Sequence, residues 1–160
     1  MVRIPESKER ERPDLGTLYA EEGQRLWRAV FAFCHDREIA SDAVAESFAQ
    51  AVRRGADIRD PRAWVWRVAF RVAAGQLKER GKESHEVPEV TYEMPEEPGR
   101  LLDALRRLPP RQRAALVLRH YAGYPTEEIA QILGSSRATV RVHLSRGRKR
   151  LYELLGDDDA

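Results

Sequence analysis

The chain has 160 residues, 42% of them hydrophobic, and a formal net charge of +2 from 28 Lys+Arg against 26 Asp+Glu. That is enough apolar material for one or two small helical cores. No apolar run approaches the ~18 residues of a membrane span, and the charged start MVRIPESKERERP lacks a signal-peptide core, so a cytoplasmic chain without membrane insertion is expected. One cysteine, Cys34, excludes an internal disulfide, and His35, His85, His120 and His143 show no paired metal-ligand spacing, so no metal or other cofactor is expected.

Residues 1–13 carry dense charge and two prolines, which predicts disorder. Asp14 can cap a first helix that runs to Cys34, with Leu18, Tyr19, Leu26, Trp27, Val30, Phe31 and Phe33 at helical spacing; Cys34 beside His35 reads as the helix end. A second helix is expected from about Ile39 to Arg54, closed by Gly55, with Val44, Phe48, Ala51 and Val52 inward and Asp42, Ala45, Glu46, Ala49 and Arg53 outward. Asp60 as cap and Pro61 at the first helical position start a third helix that reaches Gly81. It is apolar nearly all round, and Trp64 and Trp66 lie ~200° apart on it, so both cannot enter one core. Residues 14–81 are therefore expected to form one helical domain.

Residues 82–98 hold three prolines, at 88, 95 and 98, with strong negative charge and no helical period, which predicts a flexible linker. A second domain is expected over 99–156. It opens with a short helix from Pro98 to Leu108, broken by Pro109 and Pro110, and continues with one from Arg111 to Tyr121 whose core face is Ala115, Leu116, Leu118 and Tyr121. Residues 126–150 read as a helix-turn-helix. TEEIAQIL supplies the first helix and Gly134 a terminator that can take positive φ. Ser136 can cap a second helix with the stripe Val140, Leu144, Gly147, Leu151 and Leu154. Away from that stripe lie Ala138, Val142, Ser145, Arg146 and Lys149, flanked by Arg137, Arg141 and Arg148. Small groups near the start of such a face can approach base edges while arginines bond guanine edges or phosphates; a solvated cationic helix end favoured by the macrodipole is the bland alternative. Residues 157–160 form an acidic tail.

Charge is distributed unevenly. Residues 100–153 hold 12 Lys+Arg against 4 Asp+Glu, or +8, residues 81–99 hold 1 against 6, or −5, and residues 14–80 nearly balance at 11 against 10. The C-terminal half suits a polyanion. No phosphate loop, nucleophile elbow, metal set or paired carboxylates are present, so an enzyme is not expected. The expected fold class is all-α: two small helical domains joined by a flexible acidic linker, the C-terminal one a helix-turn-helix.

The order of a helix pair, the DPRAWVWRVA helix, an acidic linker and LRRLPPRQRAALVLRHYAGYPTEEIAQILGSSRATVRVHLSRGRKRL resembles the extracytoplasmic-function group of bacterial sigma factors. The resemblance implies a dissociable RNA polymerase subunit with core RNA polymerase and promoter DNA as partners and an anti-sigma factor as a further candidate. By position in the family's motif it implies −35 recognition by Arg137, Arg141, Val142, Ser145 and Arg146, with Arg148, Lys149 and Arg150 toward phosphates. It places the polymerase contact on the outer side of the second helix at Asp42, Ala45, Glu46 and Ala49, with Phe48 also matching the pattern. The third helix would open the −10 element, with Trp64, Arg67 and Arg71 as its DNA-binding candidates. The family usually carries Gln where this chain has Ala45, an Arg-Asn pair and Asp where it has Phe70, Arg71 and Gly75, and a Ser or Thr cap where it has Pro125, a role Thr126 is expected to assume. Two rivals share the physics: a LuxR-type regulator, which leaves residues 15–80 unexplained, and a sigma-like regulator that does not itself initiate transcription.

Overall fold

The computed structural model describes residues 14–83 and 96–156, and among these the fold is helical with no strand. Most of the sequence expected as linker, together with the N-terminal 13 residues and the acidic tail, lies outside the described residues.

α1 (Leu15–Cys34) starts where the Asp14 carboxylate accepts the Thr17 amide at 3.1 Å and ends at His35, whose left-handed backbone (φ 55) turns its amide onto the Phe31 carbonyl. Asp36 then caps α2 (Arg37–Arg54) by accepting the Ile39 amide at 3.0 Å, so α2 begins two residues earlier than its apolar pattern suggests. Gly55, at φ 58, closes α2, and a 3-10 turn (Gly55–Asp57) leads to α3 (Pro61–Glu83), where Asp60 accepts the Ala63 amide at 3.1 Å. α1 and α2 run antiparallel, with Tyr19 edge-on to Phe48 at one end and the Trp27 indole donating to Ser41 Oγ at 3.0 Å toward the other. α3 returns beside both. Arg80 near its end pairs with Asp36 and Glu38 at the start of α2. Leu26, Val30, Phe33, Ile39, Val44, Val65, Trp66 and Phe70 fill the space between the three.

Two expected core positions are exposed. Val52 is 68% exposed because it lies ~100° round the helix from Ala51, past Phe48, on a side that no described element covers. Tyr19 reaches Phe48 with its ring yet remains mostly in solvent. The two tryptophans divide as the geometry required: Trp66 is fully buried and Trp64 packs on the core from its margin.

In the C-terminal half, α4 (Glu96–Arg106) is followed by Pro109 and α5 (Pro110–Leu116), and then by a single π turn (Val117–Tyr121) in place of the continuous helix expected from Arg111 to Tyr121. The Ala122 amide reaches back to the Val117 carbonyl at 3.2 Å, which widens the turn by one residue. This rotates Tyr121 outward to 44% exposure and brings Ala122 and Tyr124 into the core instead. α6 (Thr126–Leu133) and α7 (Arg137–Gly156) complete the chain. Thr126 does not cap α6: it is already helical, the cap position is Pro125, and no side chain bonds there. α5 packs closely on α7 at Gly147, where an added Cβ would meet Leu116 Cδ1 at 3.1 Å.

The halves also pack against each other. α1 and α3 lie against α5, the π turn and α6, and the apolar cores join into one. Trp66 meets Tyr124 edge-on with ring centres 5.5 Å apart, and the Arg113 guanidinium lies 5.4 Å from the centre of the Phe33 ring.

Candidate nucleic-acid interface

The turn of the helix-turn-helix is built from local chemistry. Gly134 adopts φ 63 at the end of α6, and the Ser135 amide bonds the Ala130 carbonyl at 2.8 Å, satisfying the last turn. Ser136 Oγ accepts the Thr139 amide at 3.1 Å and so starts α7. Val140, Leu144 and Gly147 turn inward, and α7 is thereby fixed with its other sides in solvent. Arg137, Ala138, Arg141, Val142, Ser145, Arg146, Arg148 and Lys149 are all exposed, Val142 at 44%.

Arg148 Nε donates to His120 Nε2 at 3.4 Å, and Arg150 pairs with Glu153 at 3.6 Å. Among the described residues no carboxylate pairs with Arg137, Arg141, Arg146 or Lys149. Like charges at i,i+4 along a helix repel, and leaving them unneutralised over a rigid apolar base is a physical argument for an anionic ligand. An open cleft of about 350 Å3 lined by Pro109, Gln112, Arg146, Lys149, Arg150 and Glu153 extends the cationic surface from α7 to the start of α5.

The other candidates occupy two further surfaces. On α2, Asp42 and Ala45 are exposed and Glu46 and Ala49 half-buried, so the four share the outer side. Glu46 Oε1 accepts Gln50 Nε2 at 2.9 Å and Arg53 Nη2 at 3.1 Å; the Gln50 bond, then Arg53, hold its carboxyl below the ordinary range. Asp42 has no cationic partner among the described residues. On α3, Trp64, Arg67 and Arg71 follow one side at i, i+3 and i+7, and exposure rises along them from half-buried Trp64 and Arg67 to exposed Arg71. Arg67 Nε is buried without a hydrogen-bond partner among the described residues.

A polar cluster between the halves was not anticipated from sequence. Glu22 is 8% exposed; its carboxylate accepts the Trp66 indole N–H at 3.3 Å and pairs with Arg62 at 2.9 Å and Arg25 at 3.9 Å. Arg25 Nη2 donates to the Ala122 carbonyl at 2.9 Å, across 97 residues of sequence. Arg113, also buried, donates to the Arg106 and Leu108 carbonyls and so satisfies the end of α4. A signal for Glu22 existed: it stands at i, i+4, i+7 and i+11 with Leu26, Ala29 and Phe33, on the core side of α1.

Among the described residues no three His, Cys, Asp or Glu side chains gather as a metal site, and no helix is long and apolar enough to cross a membrane. Cys34 is buried, donates to the Asp36 carbonyl at 3.3 Å, and has its thiol pushed up to about 11 by burial.

Residues 99–151 match the family described as "Sigma-70, region 4". The chain is 35% identical over 144 residues to the RNA polymerase sigma-E factor of Streptomyces coelicolor, covering 81% of this chain and 79% of that protein. It is 27% identical over 154 residues to the RNA polymerase sigma factor SigV of Bacillus subtilis, covering 91% and 93% respectively. The fold resembles that of the sigma factor RpoE from Bartonella quintana, solved in complex with the anti-sigma factor NepR, at a TM-score of 0.74 and 22% identity over 89% of this chain and 97% of that one. The extracytoplasmic function sigma factor SigJ of Mycobacterium tuberculosis gives a TM-score of 0.63 at 28% identity, over 85% of this chain and 53% of that one. Similarity across both halves accounts for residues 15–80, which the LuxR-type reading left unexplained. The chain belongs to the extracytoplasmic-function group of the sigma-70 family of RNA polymerase sigma factors.

Proposed function

We propose that this sigma factor acts as a non-catalytic initiation subunit of RNA polymerase in the cytoplasm, with residues 14–81 and 99–156 serving as its two functional modules. α7 reads the −35 element through Arg137, Arg141, Val142, Ser145 and Arg146, while Arg148 and Lys149 neutralise phosphates. The side of α3 bearing Trp64, Arg67 and Arg71 engages the −10 element. The outer side of α2 at Asp42, Ala45, Glu46 and Ala49 docks on core polymerase, where Asp42 and Glu46 seek a cationic partner. An anti-sigma factor is a second candidate partner, as one of the solved relatives is held by one.

The observation that carries the reading is the exposed row of arginines on α7, unpaired with carboxylates among the described residues and set on a rigid helix-turn-helix. Run-off transcription with core polymerase on a promoter library tests initiation and sequence preference together. Arg146→Ala is expected to weaken −35 binding by about 1 to 3 kcal/mol and to relax preference at one base position. Unchanged affinity and unchanged promoter choice in both Arg141→Ala and Arg146→Ala would remove α7 as the reading helix.

A further inference from the structure

The joint between the halves carries a second reading, which rests on the promoter-binding roles proposed above. Elements named −10 and −35 are centred about 25 base pairs apart, which is about 85 Å along B-form DNA at about 3.4 Å per step. A compact chain of this length has a radius of gyration of about 15 Å and hence spans about 40 Å. While α3 and α7 belong to one packed body, they cannot meet both elements. α6 also lies against α3, so the helix expected at the −10 element is covered by the module expected at the −35 element.

The joint is built differently from the packing inside each half. Between α5 and α7 the contact is close and apolar, with Gly147 against Leu116. Between the halves, the turn after the π segment is held by a few polar contacts. Arg25 Nη2 donates to the Ala122 carbonyl at 2.9 Å and to the Tyr121 carbonyl at 3.4 Å, acceptors that a helix end leaves without partners of its own. Glu22, 3.9 Å from Arg25, also takes the indole N–H of Trp66, and Trp66 in turn receives the edge of Tyr124. The Tyr124 hydroxyl is buried without a hydrogen-bond partner among the described residues, a cost that separation of the halves would relieve by giving it water. Arg119 Nη1 bonds the Tyr124 carbonyl at 3.3 Å, and Gly123 at φ 76 makes the turn, so the segment is presented as a preformed finger.

We propose that the packed arrangement is a closed state of the sigma factor that must open before both promoter elements are engaged, and that Arg25, Glu22, Trp66 and Tyr124 form the latch that holds it. The latch lowers the apparent affinity for core polymerase on promoter DNA by the fraction of molecules that are open, so loosening it raises that affinity.

The test uses the full-length chain as wild type, Arg25→Ala, Tyr124→Ala and, as a charge-matched control, Arg28→Ala, an exposed arginine elsewhere on α1. Small-angle X-ray scattering reads opening, and run-off transcription at limiting core polymerase reads the half-saturating sigma concentration. Arg25→Ala is expected to increase the radius of gyration and to lower half-saturation by about 3- to 10-fold, with Tyr124→Ala acting in the same direction and Arg28→Ala like wild type. Circular dichroism separates opening from loss of helix, and Arg25, half-exposed, can be replaced without leaving a cavity. The latch is overturned by an Arg25→Ala radius equal to that of wild type, by opening without a gain in half-saturation, or by the same gain in Arg28→Ala. A wild-type chain that initiates no transcription counts against the functional reading instead, while the scattering comparison still decides whether Arg25 holds the halves together.

Discussion

α7 and α3 are both long helices that must bury an apolar side, and they do so to opposite degrees. α7 buries one narrow stripe, Val140, Leu144 and Gly147, and leaves its arginines in water. α3 buries Val65, Trp66, Val68, Ala69, Phe70 and Ala73, with α1, α2 and α6 around it. A helix buried on one stripe can meet DNA with nothing moved out of its way. A helix covered on most sides supplies stability first and can offer DNA only the flank its neighbours leave open, here the rising exposure from Trp64 to Arg71.

The largest expected contrast is in stability. Trp66 is fully buried and touches Phe70, Tyr124 and the Glu22 carboxylate, so Trp66→Ala leaves a large cavity and an unpartnered carboxylate. It should cost about 3 to 5 kcal/mol in urea denaturation. Val142→Ala, on the open side of α7, should stay within about 0.5 kcal/mol. Comparable losses in the two variants would mean that α7's outer side is not free.

Acidification should sharpen the same contrast at the other edge of the joint. Burial, then the nearby Arg113 and Arg106 guanidiniums, push His35 down from 6.5 to about 4. The folded state therefore holds the neutral ring where the unfolded chain would bind a proton, and stability present above pH 6.5 is lost as pH falls toward 4. At about 1.4 kcal/mol per pH unit the full difference would be about 3 kcal/mol, and screening of a half-buried ring reduces it to about 1 to 2 kcal/mol. His35→Asn keeps a residue that tolerates the left-handed backbone at φ 55 and removes the proton site. Its denaturation midpoint should fall less between pH 7 and 4 than that of wild type; parallel curves would show that His35 is not buried neutral.

How much of this was legible follows from how far apart the interacting residues lie in sequence. The helix-turn-helix was readable to the residue because Gly134, Ser136 and the α7 stripe act within one or two turns of themselves. Asp14, Asp60 and Gly55 marked their helix ends for the same reason. The π turn was not readable, since VLRHY has the same apolar period in an α-helix, and only the pull of Ala122 and Tyr124 into the joint distinguishes them. Nor was the joint itself: Arg25 meets Ala122 across 97 residues, and the wholly apolar look of α3 said that something covers it without saying what. Val52 failed in the other direction, as an apolar residue on a flank that period alone could not distinguish from the core.

The smallest stability effect is expected where a functional effect should be large, on the outer side of α2. Glu46 accepts Gln50 and Arg53, and both side chains of the Glu46–Arg53 pair stand largely in solvent. Exposed pairs of this kind contribute little to folding because water competes for both partners and ordering two long side chains costs entropy. Glu46→Ala should therefore leave the urea midpoint and the helical circular dichroism where they are. Yet Asp42 and Glu46 are like charges at i,i+4 on one exposed side, an arrangement that isolated helices disfavour. If that side meets a cationic surface of core polymerase, Glu46→Ala should weaken binding to core, and Asp42→Lys combined with Glu46→Lys should abolish it at low ionic strength. A measured binding curve for the double lysine variant that overlays wild type, on a protein that still folds, would assign the α2 carboxylates to solvent and move the polymerase contact elsewhere. Retained folding with lost binding would instead show α2 resembling α7: a helix fixed by its buried stripe so that its outer side is already set for a partner.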